Sequence, residues 1–126
     1  MLAGSGIDIV EVERVQALKD KWRDRFLKKV FTEKELAYAN GKKCAAEHLS
    51  ALIAVKEALI KAFSNDGKKY LGDWRDIEVS NDKSGRPFVN LYGNFKRVKE
   101  RRKIKEIMIS VSHTHKYAVA SVILTK

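Results

Sequence analysis

Residues 45–63 read AAEHLSALIAVKEALIKAF, and this stretch organises the rest of the chain. Leu49, Leu52, Ile53, Leu59, Ile60 and Phe63 recur at helical spacing and predict one long helix from Ala45 to Phe63. Its many alanines allow neighbouring elements to approach closely. Upstream, Leu2 to Val10 reads as an extended apolar start with small residues. Val12, Val15, Leu18, Trp22 and Phe26 then predict an amphipathic helix. Thr32-Glu33-Lys34-Glu35 is a capping box that opens a short helix, and Asn40-Gly41 is its stop signal.

Downstream of the long helix the period changes. Ile77 to Ser80 alternates, residues 81–85 (NDKSG) supply a turn, and Pro87 to Leu91 returns as the second arm of a hairpin. The basic stretch from Asn94 to Lys105 reads as a short helix. Ile107 to Val111 and Tyr117 to Leu124 are two further strands joined through residues 112–116 (SHTHK). Together these elements predict one α+β domain over residues 1–126, a largely antiparallel sheet packed by helices.

Composition narrows the class of protein. Hydrophobic residues make up 44% and charged residues 33% of the 126, the balance of a soluble globular domain and not of a disordered chain. No apolar run approaches the ~20 residues that span a bilayer, and the start of the chain lacks the pattern of a signal peptide. The single cysteine, Cys44, cannot form an internal disulfide and reads as a small buried residue in a reducing compartment. The expected location is the cytoplasm, without membrane contact.

The formal net charge is +10. Basic residues gather between Lys19 and Lys29 and again between Lys96 and Lys105, so an anionic partner is expected. The second cluster fits either a solvated helix face or a nucleic-acid contact. It lacks a recognised nucleic-acid motif, and no aromatic residue interleaves with it.

Three distant segments hold the candidate chemistry: Gly6-Ile7-Asp8, Lys56-Glu57-Ala58 with Lys61, and Ser112-His113-Thr114. Two carboxylates, an ammonium and an imidazole suit a Mg²⁺-dependent enzyme acting on a phosphate ester or anhydride. Each group has a plainer reading. If Ile7 and Ile9 face the core, Asp8 points the other way into solvent. Glu57 and Lys61, one turn apart in the acid-before-base order, also fit a surface ion pair. His113 fits a polar loop. No Ser-His-Asp order, Cys/His zinc spacing or phosphate-binding P-loop is present.

The segments in this order resemble the phosphopantetheinyl transferases, in particular the small bacterial carrier-protein synthases. Gly6-Ile7-Asp8 with Arg14 is similar to the family's G-x-D-x5-R opening, Phe31 to Leu36 to F-T-x-x-E-L, and Lys56 to Lys61 to K-E-A-x-x-K. Asp76 to Val79, Gly85-Arg86-Pro87 and Ser110 to Thr114 follow in the expected order. Two positions depart from the pattern: the usual Arg and aromatic before the motif lysine are Leu52 and Ile53 here.

The resemblance implies Mg²⁺-dependent transfer of 4′-phosphopantetheine from coenzyme A to a serine of apo acyl carrier protein. It implies Asp8 and Glu57 as metal ligands and Asp8, Glu57 and Lys61 as the catalytic group. Glu57 is the preferred base, with His113 as the alternative. Lys61, Gly85, Arg86, Pro87, His113 and Thr114 would bind coenzyme A, the glycine turn from a neighbouring subunit of a homotrimer. Arg14, Leu18, Lys21 and Arg25 would dock the acidic carrier.

Overall fold

The structure is a computed structural model and describes residues 1–64 and 72–126. The element order is β1 (Leu2–Glu11), α1 (Val12–Trp22), α2 (Asp24–Val30), α3 (Glu33–Asn40), α4 (Ala45–Phe63), a 3-10 turn at Trp74–Asp76, β2 (Ile77–Asn81), β3 (Pro87–Leu91), α5 (Gly93–Arg101), β4 (Glu106–His113) and β5 (Tyr117–Thr125). The strands form two antiparallel sheets: β1-β5-β4 and the β2-β3 hairpin. The α+β class expected from the sequence is the class observed.

Helix α4 is the centre of the molecule. Ala54, Val55, Ala58, Leu59, Ala62 and Phe63 are buried against Ile77, Phe95, Val98, Ile109 and the inward row of β5, Ala118, Ala120, Val122 and Leu124. Burying a side chain such as Phe63 contributes about 1.5–3 kcal/mol. A second cluster, Val15, Phe31, Ala39 and Leu49, gathers α1, α2 and α3 on the other flank of α4. Leu52 and Ile53 pack against this second cluster. The two departures from the family pattern are thus partly buried aliphatic residues at the edge of this cluster.

The alanines act as expected, and the glycines of β1 complete the fit. A Cβ on Gly6 would lie 2.0 Å from the Ala58 carbonyl oxygen, and one on Gly4 2.3 Å from that of Ala62. Two strand residues advance about 6.7 Å and four helix residues about 6.0 Å, so the two contacts stay in step. Only glycine lets β1 ride directly on the backbone of α4.

Two local expectations change. The helix from Val12 to Phe26 is two helices, broken at Arg23, whose φ is +45°. The Arg23 amide bonds Lys19 O to close α1, and the Arg23 carbonyl accepts from Phe26 and Leu27 to open α2. Trp22 is left exposed, while Phe26 turns inward onto Phe31, edge to face at 5.9 Å. Cys44 is exposed, since it precedes the first turn of α4 outside the core. The Asn40-Gly41 stop holds without a left-handed glycine: Gly41 keeps φ at −79°, and a Lys42 N–H to Ala39 O bond tightens the end. The capping box at Thr32 and Glu35 is formed in both directions.

The basic stretch near α5 is not uniformly solvated. Arg102 donates to Phe63 O at 2.7 Å and to Ala3 O at 2.9 Å, tying the end of α4 to β1. Lys96, Arg97 and Arg101 remain exposed.

Candidate active site

The largest correction concerns β1. Ile7 and Ile9 are 66% and 64% exposed, whereas the Asp8 side chain is 9% exposed and faces α4. The strand alternation is as expected but its direction is reversed. Gly4, Gly6 and Asp8 share the face laid on α4, so the close approach at Gly6 also brings the next residue of that row to Glu57 and Lys61.

Lys61 Nζ donates to Asp8 Oδ1 at 2.8 Å and to the Ile7 carbonyl at 3.1 Å, with more than half of its side chain exposed. Asp8 Oδ2 is buried and has no hydrogen-bond partner. The Glu57 carboxyl lies within hydrogen-bonding reach of Asp8, and only its protonated form can donate. Burial, followed by that bond and the Asp8 charge, pushes the Glu57 pKa up to about 7; Lys61 and Arg14 oppose the shift. Two carboxylates therefore share a partly buried site with too little positive charge. A small divalent cation with hard oxygen ligands fits this deficit, since it would give Asp8 Oδ2 a partner and favour ionised Glu57.

The surroundings open the site on two sides. A cleft of about 260 Å³ is lined by Glu57 together with Arg14, Leu18, Ile53 and Tyr117. A shallower depression is lined by Gly6, Ile7, Lys61 and Ser121. Arg14, Leu18 and Lys21 recur at i, i+4 and i+7 on α1, and Arg25 lies on α2 in a groove with Trp22, Phe26 and Lys29. The carrier-docking residues expected from the sequence thus begin beside Glu57 and run away from it.

The remaining candidates lie elsewhere. His113, on β4, is two strands from β1, about 10 Å across the sheet. Its Nδ1 is 3.2 Å from Glu47 Oε1, and its ring stands against His48 at 5.1 Å. That position, at the first turn of α4, removes His113 as a base beside Glu57 within one chain. Thr114 Oγ1 accepts from the Lys116 and Tyr117 amides and shapes the β4–β5 turn. Gly85, with φ at +87°, and Arg86 belong to the β2–β3 turn. Asp82 Oδ1 organises that turn by accepting from the Ser84 and Arg86 amides. This turn is carried by the second sheet, whereas Asp8 is on the first.

Sequence reasoning missed the role of Lys56. It is fully buried and donates to Glu35 Oε1 and Val30 O, each at 2.7 Å, and to Trp74 O at 3.1 Å. Glu35 also accepts from the amides of Thr32 and Val79. Burial draws the Lys56 pKa down, against the pull of the Glu35 charge. The first lysine of the motif is a structural hub. The signal available was the family-like pairing of Glu35 in one segment with Lys56 in another.

The model of the 4′-phosphopantetheinyl transferase superfamily matches residues 4–122, and the chain belongs to that superfamily. It is 42% identical over 123 residues to the holo-[acyl-carrier-protein] synthase of Halothermothrix orenii, covering 98% of this chain and 97% of that one. The fold is similar to that of holo-[acyl-carrier-protein] synthase from Neisseria meningitidis, with a TM-score of 0.89, 26% identity and full coverage of both chains. It is also similar to the ACPS of Chronobacterium ammoniagenes, solved as a CoA complex, with a TM-score of 0.83, 30% identity and coverage of 96% and 95%. The activity is that of a holo-[acyl-carrier-protein] synthase: 4′-phosphopantetheine passes from coenzyme A to apo acyl carrier protein.

Proposed function

We propose that Asp8, Glu57 and Lys61 are the reaction centre of this transfer and that Asp8 and Glu57 hold Mg²⁺. The observation that carries the reading is the buried, unpartnered Oδ2 of Asp8 beside a carboxyl raised to about 7. When bound, Mg²⁺ would offset negative charge on the phosphoryl oxygens. Glu57 takes the proton of the carrier serine, its carboxylate standing ready to accept once the cation favours the ionised form. The serine oxygen forms a bond to the phosphorus that carries pantetheine. The bond from that phosphorus to the oxygen of adenosine 3′,5′-bisphosphate breaks. Lys61, half in solvent, stands by the leaving phosphate and can supply its proton.

His113, Thr114 and the turn Gly85-Arg86-Pro87 contact coenzyme A in this reading, with the turn supplied by a second subunit of a homotrimer. The exposed apolar row on the outer face of the first sheet, Ile7, Ile9, Met108, Tyr117, Val119 and Ile123, supports assembly through that face. Arg14, Leu18, Lys21 and Arg25 dock the acidic carrier, favoured by the cleft that runs from Glu57 to Arg14 and Leu18. Residues 1–126 act as one domain, a reading favoured by the pairing of β1 with β5. No described helix is long and apolar enough to cross a membrane. The unpaired Cys44 suits a reducing cytoplasm.

Incubation with coenzyme A, Mg²⁺ and apo acyl carrier protein, read by intact mass, tests the centre. The carrier should gain one phosphopantetheinyl unit with the natural chain, and Asp8→Asn should lower the rate about 100-fold or more. A rate within threefold of the natural one in Asp8→Asn would remove Asp8 from the centre.

A further inference from the structure

At the start of α4, nearly three turns and about 15 Å from Glu57, a second group of ligating side chains converges. Cys44, Glu47 and His115 each offer one ligand atom, and these atoms all lie within 4.8 Å of one another. We propose that Cys44, Glu47 and His115 form a binding site for one Zn²⁺-class transition-metal ion, distinct from the Asp8–Glu57 centre.

The donors differ in how firmly they are held. The Glu47 side chain is 11% exposed and fixed on the first turn of α4. His115 Nδ1 is 3.0 Å from Glu47 Oε2, and that bond aims an otherwise exposed ring at the carboxylate. Cys44, at the N-cap position of α4, brings its thiol within 4.8 Å of the Glu47 and His115 ligand atoms. The ion would thus replace hydrogen bonds already drawn toward its own position. Ligand atoms around tetrahedral Zn²⁺ stand about 3.3–3.7 Å apart, given Zn–N near 2.0–2.1 Å and Zn–S near 2.3 Å. A spread of 4.8 Å therefore closes by about an ångström, within the swing of two surface side chains.

Charge and softness select the ion. On binding, the Cys44 thiol loses its proton to solvent and the His115 ring carries its remaining proton on Nε2, leaving Nδ1 to ligate. Thiolate, carboxylate and neutral imidazole then balance a divalent ion. Sulfur and nitrogen donors favour Zn²⁺ over Mg²⁺, whereas the all-oxygen pair Asp8 and Glu57 has the reverse preference. Three protein donors leave a fourth position open to water. The sequence conceals the site because Cys44 and His115 lie 71 positions apart and have no zinc-motif spacing.

The test uses the full chain with Co²⁺ as a spectroscopic probe and Zn²⁺ as competitor. The natural chain should bind one Co²⁺ with a thiolate-to-metal charge-transfer band in the near ultraviolet. Zn²⁺ should abolish the band at one equivalent, and a thousandfold excess of Mg²⁺ should not. Cys44→Ser should lose the band, His115→Ala should weaken Zn²⁺ binding at least tenfold, and Asp8→Asn should retain both. Cys44 and His115 are exposed, so these variants keep the fold, checked by unchanged circular dichroism. Absence of the band in the natural chain would overturn the site. So would Zn²⁺ binding within threefold of the natural value in both Cys44→Ser and His115→Ala.

Discussion

Helix α4 carries two lysine–carboxylate pairs five residues apart, and they are built to opposite specifications. Lys56 and Glu35 are both fully buried, and each of their charged atoms has a hydrogen-bond partner: Val30 O and Trp74 O for the lysine besides Glu35, the Thr32 and Val79 amides for the carboxylate. Lys61 and Asp8 make an ion pair of nearly the same length, 2.8 Å, but the lysine is half exposed and one Asp8 oxygen has no partner. The first pair is complete in the folded chain and can only hold structure. The second is complete only with something added. A short ion-pair distance therefore says little about role; the partners left over decide it.

The largest effect should come from breaking the finished pair. Lys56→Met leaves the Glu35 carboxylate buried without its counter-charge and should cost about 3–5 kcal/mol of stability. The same change at Lys61 should cost less than about 1 kcal/mol, because that pair is partly solvated, yet lower transfer about 100-fold. Urea unfolding and transfer rates on both variants read this contrast. Equal destabilisation of the two would erase it. Restoring neutrality with Glu35→Gln in the Lys56→Met background should recover only part of the loss, since Glu35 also serves two amides.

A smaller effect should follow from prying the strand off the helix. Gly6→Ala places a methyl 2.0 Å from the Ala58 carbonyl and must shift β1. Overpacking of this kind costs about 1–3 kcal/mol. Because Asp8 rides on the same row, transfer should fall more than stability does. Natural transfer in a Gly6→Ala chain that has lost stability would detach the reaction centre from the β1–α4 contact.

The smallest effect concerns protons. The Glu57 pKa lies above its ordinary value, so the folded state binds the extra proton. Its contribution therefore weakens stability as pH rises from about 4.5 to about 7 and changes little beyond. Mg²⁺ competes with that proton. At ten times its dissociation constant, Mg²⁺ should add about 1.4 kcal/mol at pH 8, and markedly less at pH 5.5. Thermal melts at both pH values, with Asp8→Asn as control, measure the difference. An equal Mg²⁺ shift at both would mean that Glu57 is not a ligand.

The helices and strands were largely legible in the sequence because each is written locally. The period of α4, the Thr32–Glu35 box and the 77–91 hairpin need no distant partner to be read. The family was legible as well, through the order of its segments. What stayed hidden was direction. Ile7 and Ile9 suggest a row facing inward, yet they face out, because the other side of β1 meets α4 through glycine and an acid. Hydrophobicity alone does not say which face of a strand meets the core. Likewise Lys56 reads as a polar helix residue until Glu35, twenty-one positions upstream, is folded against it. The break at Arg23 carries no glycine or proline to announce it.

The pairing of β1 with β5 fixes when the enzyme can exist. Asp8 lies opposite Ala120, so a residue of the first strand is held by one 112 positions later. During synthesis this strand leaves the ribosome with its outward isoleucines uncovered and waits while the elements from α1 to β4 are made. α4 can offer it a backbone to lie on, but the hydrogen-bonding edge arrives only with β5. A product truncated before β5, however well its helices form, would carry Asp8, Glu57 and Lys61 and still lack the sheet pairing that fixes Asp8. Such long-range closure favours slow assembly.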